Sequence, residues 1–346
     1  MNLSEKVNDF WNEYNIIRKE LEPALVNNDL ITSAKLIDKI NEKLITVANC
    51  NLEVSYVDEF FEIDFNPGFN KTSQYICSLL VKFKPKDLDN YSISAYLRPL
   101  SLTSESLKIT DNGVEYTAKD FIVYYEIDAV NKNISIKVYC ELFKNISVAE
   151  KEKYTYLMLN YFLGQLELEL RITDIEIIDE PCDDENVCLM SSLYENVSDI
   201  VVDYDWPDYE DPTYIYYAYK LDKDCIEERV HKDIYLVHTS HPKLFEELNQ
   251  SGKQIQEELK LLGGEYGYIY YEHTQEKEDI ALYRQILEKE INNMVYDLKI
   301  ARTIGGALGQ KYAYINLIVF DRYLMMGAIN KINEKLGTNL SYIAYR

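Results

Sequence analysis

Val7, Phe10, Tyr14, Ile17 and Leu21 recur at three- and four-residue steps, which places them on one face of a helix. After the polar turn Asn27-Asn28-Asp29, Ile37, Ile40, Leu44 and Val47 repeat that spacing on a second helix, so the chain opens as a helical hairpin. Beyond Asn49 the period shortens to two. Leu52–Val57 and Phe60–Phe65 alternate as strands do. Asn66-Pro67-Gly68 breaks the chain, Thr72–Phe83 fits a helix, and Tyr91–Leu97 fits a strand. Strands follow at Phe121–Ile127 and Ile134–Glu141, then a helix at Val148–Leu166 and a strand at Leu170–Ile178. This order packs helices against one mainly antiparallel sheet.

Regular alternation returns at Tyr214–Leu221 and Asp233–Thr239. A helix over Pro242–Leu262, broken or bent near Gly252, precedes a strand at Gly267–His273 and a helix at Lys277–Val295. The strand Tyr312–Asp321, the helix Tyr323–Leu336 and the strand Leu340–Tyr345 close the chain. The expected class is therefore α+β: an N-terminal helical hairpin followed by two α+β, ferredoxin-like units with mainly antiparallel sheets. The expected division is 1–180, an acidic connecting segment 181–213, and 214–346. A length of 346 residues fits two cores better than one.

Composition sharpens this picture at one place. From Ile172 to Tyr219 there is no lysine or arginine, while fourteen carboxylates are present. Like charges at that density need water, a cation or a basic partner to screen them. Pro181, Pro207 and Pro212 interrupt regular structure, so the stretch reads as a long connection or an ordered surface loop. Its densest part interleaves acids with aromatic rings: Asp203, Tyr204, Asp205, Trp206, Asp208, Tyr209, Glu210 and Asp211. Aromatic anchors among steering charges suit a surface that docks a basic protein. The EF-hand spacing, with its central glycine and terminal glutamate, is missing from this cluster.

The formal net charge of −23 opposes nucleic acid or an anionic membrane as partner. No apolar run reaches the roughly 20 residues of a membrane span, and Met1–Lys6 lacks the charge and apolar pattern of a signal peptide. A cytoplasmic protein with free thiols at Cys50, Cys77, Cys140, Cys182, Cys188 and Cys225 is expected. The 31 tyrosines suit half-buried sheet faces and also interfaces.

Other motifs point to chemistry less directly. His238, His241 and His273 are candidate metal ligands, through the His-x-x-His spacing of the first two. Gly263-Gly264 and Gly305-Gly306 each open a Gly-Gly-x-x-Gly run that could cradle an anion. Each precedes a strand, however, where the dinucleotide fingerprint follows one, so tight turns or a bulge at a sheet rim are the preferred reading. Gly68–Ser73 resembles the end of a phosphate loop without its glycines, and Thr72 or Ser73 as a helix N-cap accounts for it. No cofactor is indicated.

Asp9-Phe10-Trp11, Phe61-Glu62-Ile63, Arg98-Pro99, Phe162-Leu163-Gly164 and the run from Ile304 through Phe320-Asp321 together resemble a group of uncharacterised bacterial proteins. That resemblance implies a bacterial cytosolic protein with paired α+β units, and no activity. The functional expectation is a non-enzymatic protein-binding protein, with an immunity-type inhibitor that masks a basic partner as its sharpest form. The alternatives are a metal-assisted hydrolase using the histidines and a homo-oligomeric scaffold.

Overall fold

The computed structural model describes residues 1–100, 107–111, 113–183, 185–221, 229–273 and 277–345, except the side chains of 277 and 278. Cys225 and Asp184 lie outside the described residues. Two compact units emerge. Unit 1 comprises Met1–Glu62, Asn70–Tyr91 and Thr213–Arg346, and unit 2 comprises Ile63–Phe69 and Ser92–Pro212. This differs from the linear division expected above, because the helical hairpin groups with the C-terminal segment. Its start is bonded there: Leu3 N–H donates to the Gly263 carbonyl (3.0 Å) and the Asn2 amide to Asp321 (2.7 Å).

The chain begins with α1 (Leu3–Val26) and α2 (Leu30–Ala48), the expected hairpin. Asn2 and Asp29 cap the two N-termini, accepting from Glu5 N–H and Thr32 N–H. Next come β1 (Asn51–Val57), β2 (Phe60–Asn66), α3 (Lys71–Lys82) and β3 (Tyr91–Ser94), with the three strands in the order β1-β2-β3. The cap of α3 is Asn70, which accepts from Ser73 N–H, rather than Thr72 or Ser73 as the sequence suggested.

Unit 2 continues with the hairpin β4 (Lys108–Asp111) and β5 (Val114–Thr117), then β6 (Phe121–Asp128) and β7 (Asn133–Cys140). Two helices, α4 (Val148–Phe162) and α5 (Gln165–Arg171), lead to β8 (Ile172–Ile178), which runs parallel to β7. A helical crossover is what permits a parallel neighbour. The single helix expected over Val148–Leu166 breaks at Gly164, whose φ of +83° favours glycine. A Cβ there would also lie 2.7 Å from Pro99 Cδ.

The acidic stretch is more regular than a loop. It contains β8, the short strand β9 (Val187–Leu189) and the helix α6 (Leu193–Asp203). The sheet order is β8-β7-β6-β9. Its core is built from Phe121, Val123, Ile134, Ile136 and Val138 on the strands, with Tyr154, Met158 and Leu159 of α4 and Leu193 and Val197 of α6.

Unit 1 resumes with β10 (Tyr217–Lys220), β11 (Ile234–Thr239), α7 (Pro242–Asn249), α8 (Gln254–Leu262) and β12 (Glu265–Glu272). It ends with α9 (Lys277–Val295), β13 (Ala301–Gly309), β14 (Tyr312–Val319), α10 (Arg322–Leu336) and β15 (Ser341–Ala344). These strands form one antiparallel sheet, ordered β10-β11-β13-β14-β12-β15. Side chains alternate across it as the period-two rule requires. Ile269, Ala313, Ile315 and Leu317 meet α9 and α10 on one face, through Ile291, Val295, Met325 and Ile332.

β13 was not expected, because its glycines read as a turn. Gly305 instead sits within the strand at a register shift, with φ of +118°. A Cβ there would come within 2.1 Å of the His238 carbonyl on β11, so only glycine allows the strands to approach. The bulge reading therefore describes the second glycine run, in the interior of the sheet rather than at a rim.

Candidate functional site

Leu193, Val197 and Ile200 recur along α6 and are buried, which turns Tyr194, Glu195, Asp199, Val202 and Asp203 outward. The end of the helix is a Schellman turn. Tyr204 is the C-cap, Asp205 adopts the left-handed conformation (φ +50°), Asp205 N–H donates to Val202 O (3.2 Å) and Trp206 N–H to Val201 O (2.9 Å). The usual residue at the left-handed position is glycine, so an aspartate there leaves little signal in the sequence. This turn returns the chain toward the core and inserts the Trp206 ring.

Trp206 is 5% exposed and belongs to the core of unit 2. Its expected role as a surface anchor is therefore corrected: the ring holds the acidic segment in place from within. The Arg171 guanidinium, itself 1% exposed, lies 5.5 Å from the Trp206 ring centroid. Arg171 also donates to the Pro207 carbonyl and, from Nε, to Glu167 (3.2 Å). A buried cation with an ion-pair partner, a carbonyl acceptor and a π-face is well supplied. Arg171 had no visible role in the sequence, since it stands just before the acidic run begins.

The remaining residues of the cluster do reach the surface. Asp203, Tyr204, Asp205, Asp208 and Glu210 are exposed, while Tyr209 and Asp211 are half-buried. Among the described residues, none of Asp203, Asp205, Asp208 and Glu210 pairs with a lysine or arginine. Their field reaches inward. The Tyr96 hydroxyl is pushed up to about 12 by burial first, then by the charges of Asp211 and Glu167, with a smaller contribution from Asp208. Burial likewise raises the Glu167 carboxyl, against the pull of Arg171. Tyr194 (40% exposed), Val202 (77%) and Tyr204 (48%) add apolar area beside the acids. Of these, Tyr194 and Val202 were missed because α6 itself was not expected.

The histidines occupy separate places in unit 1. His238 is on β11, opposite Ala218 and Gly306, with its ring stacked 4.6 Å from that of Tyr216. His241 caps α7, its Nδ1 accepting from Leu244 N–H (3.2 Å). His273 follows β12, its Nε2 3.0 Å from the Gly309 carbonyl. β11 and β12 are three places apart in the sheet, about 14 Å at the usual strand spacing. The three imidazoles therefore do not converge. Among the described residues, no three His, Cys, Asp or Glu side chains gather as a metal site.

His241 is nonetheless unusual. It is 2% exposed and is held near 3, far below the ordinary histidine value, by burial first and the Lys71 charge second. It is thus a neutral ring, and its Nε2 has no partner among the described residues. Nearby, Tyr75 and Ser240 hydroxyls pair at 2.6 Å, and Thr72 and Tyr266 at 2.8 Å. These contacts tie α3 to the sheet through hydroxyl pairs rather than ions.

Among the described residues, no helix is long and apolar enough to cross a membrane. No protein-family model matches the chain, and no curated protein or solved structure matches it.

Proposed function

We propose that this is a non-enzymatic, cytosolic protein-binding protein that docks a basic partner through the acidic surface of α6 and residues 203–211. The observation that carries this reading is the Schellman turn. It buries Trp206 and holds Asp203, Asp205, Asp208 and Glu210 outward without a cation partner among the described residues. A surface already ordered loses less freedom on docking than a flexible tail. Unpaired acids steer a basic surface toward it, and Tyr194, Val202 and Tyr204 supply apolar contact once the surfaces meet. An inhibitor that masks a basic active site would use this chemistry. The succession β12-α9-β13-β14-α10-β15 supports reading this part of unit 1 as ferredoxin-like.

The test compares two charge-reversed proteins. One carries lysine at Asp203, Asp205, Asp208 and Glu210. The other carries lysine at four exposed acids elsewhere, Glu20, Asp38, Glu42 and Glu257, and so has the same net charge. In low-salt capture from a bacterial lysate, the first should lose a basic partner that the wild type and the second retain. Equal capture by all three, or equal loss from both variants, would refute a local docking surface.

A further inference from the structure

Unit 1 contains a cleft of about 280 Å³ that none of the preceding roles uses. Its floor is the sheet: Ile234 and Val237 of β11, with Ile304 and Ala307 of β13. Leu244, Phe245 and Leu248 of α7 form an apolar wall. The polar lining comprises His231, Lys232, Asn316 and Tyr345, with Thr239, Asn249 and Ser251 beside the apolar wall.

The room has a clear origin. Asn316 lies directly across from Gly305 in the β13–β14 ladder, so no side chain opposes it there. The rim is also fixed in an uncommon way. His231 and Ser251 both line the cleft with left-handed backbone, at φ +67° and +59°. His231 is held by its backbone N–H, which donates to the Tyr314 hydroxyl (2.8 Å), and that hydroxyl donates to buried Asp233. Its ring stands 4.8 Å from Tyr268 and 5.5 Å from Tyr345, measured between centroids.

The charge pattern is selective. Among the described residues, no aspartate or glutamate lines the cleft. Lys232 is exposed, and its ammonium has no carboxylate partner among the described residues. The Tyr345 hydroxyl donates to Asn316 Oδ1 (3.1 Å), and burial keeps that hydroxyl protonated. Asn316 is thereby oriented with Nδ2 as its remaining polar atom, a donor with no partner among the described residues. An ammonium and an amide N–H beside an apolar floor make a site for an acceptor-only head on an apolar tail.

We infer that this cleft binds a small monocarboxylate, with Lys232 and Asn316 on the carboxylate and the tail lying over Ile304 and Ala307 against α7. Its volume equals about nine waters at ~30 Å³ each, which suits a tail of roughly six to eight carbons. A dicarboxylate would place its second charge on the apolar floor, and an amine would bring its own charge beside the Lys232 ammonium.

Titration calorimetry of the full chain with hexanoate and octanoate, set against hexylamine and hexan-1-ol, tests the assignment. Saturable one-to-one binding of the acids at submillimolar to millimolar concentration is expected, with octanoate tighter and no binding of hexylamine. Lys232→Gln should weaken octanoate about tenfold, the loss of one ion pair's discrimination. Asn316→Asp, which keeps the acceptor for Tyr345 but adds a negative charge, should abolish binding. The assignment is overturned if neither acid binds saturably, if hexylamine or hexan-1-ol binds as well as hexanoate, or if Lys232→Gln leaves octanoate affinity unchanged. Should Asn316→Asp fail to fold, Lys232→Gln still decides, because its side chain is at the surface.

Discussion

Replacing Trp206 by alanine should destabilise unit 2 by about 4 kcal/mol, whereas phenylalanine there should cost about 1 kcal/mol or less. The ring is 5% exposed, so nearly all of a tryptophan side chain's roughly 200 Å² is lost from burial on truncation. At ~25 cal/mol/Å² that amounts to about 5 kcal/mol, an upper figure because the unfolded chain already hides some area. The Arg171 guanidinium loses the face it rests on, adding about 1 kcal/mol. Phenylalanine keeps most of the area and an aromatic face. It also sacrifices no hydrogen bond, because the buried Trp206 Nε1 has no partner among the described residues. Removing that unpaired donor offsets part of the lost area.

Urea unfolding followed by circular dichroism gives the two stabilities. Hydrogen exchange read peptide by peptide should place the loss in β6–β8 and α6. The change also bears on function, since alanine removes the pin without altering a charge. Trp206→Ala should therefore lose the basic partner that Trp206→Phe keeps. An alanine variant within about 1 kcal/mol of wild type would refute the reasoning. So would a phenylalanine variant as unstable as the alanine one.

Three further outcomes follow from local geometry. His241 is neutral in the fold down to about 3, while an unfolded histidine takes up its proton near 6.5, so its contribution is complete above 6.5 and declines as pH falls toward 3. His241→Asn, which keeps an N-cap acceptor, should flatten the acid-side slope of unfolding free energy, and an unchanged slope would rule this out. The Sγ atoms of buried Cys50 and Cys77 lie 3.5 Å apart, so diamide treatment should yield that disulfide ahead of any involving Cys140 or Cys188, as read by peptide mapping. Gly305→Ala should cost about 4 kcal/mol or more, since its Cβ would meet the His238 carbonyl at 2.1 Å; a near-native melting point would contradict the bulge.

The helical hairpin was legible because its periodicity is local. Val7 to Leu21 and Ile37 to Val47 declare their buried faces within a few turns, and most strands and helices of both units likewise follow from spacing alone. The extreme acidity of residues 172–219 was also plain, and so was the exposure of most of its carboxylates, which water solvates at any surface. What the tertiary structure decided were the features that depend on residues distant in the chain. Met1–Ser4 group with Gly263 and Phe320 because backbone groups pair across more than 250 positions, which no local pattern encodes. Gly305 is a strand bulge because β11 presses on it. Arg171 gains a role only when Trp206 folds over it. The histidines look clustered along the chain, yet two intervening strands keep His238 and His273 apart. Lys232 and Asn316, 84 positions apart, meet at one cleft only because β13 offers a glycine there. Local periodicity specifies which face of an element is apolar. The pairing of those faces, and the chemistry assembled where they meet, follow from packing the whole chain.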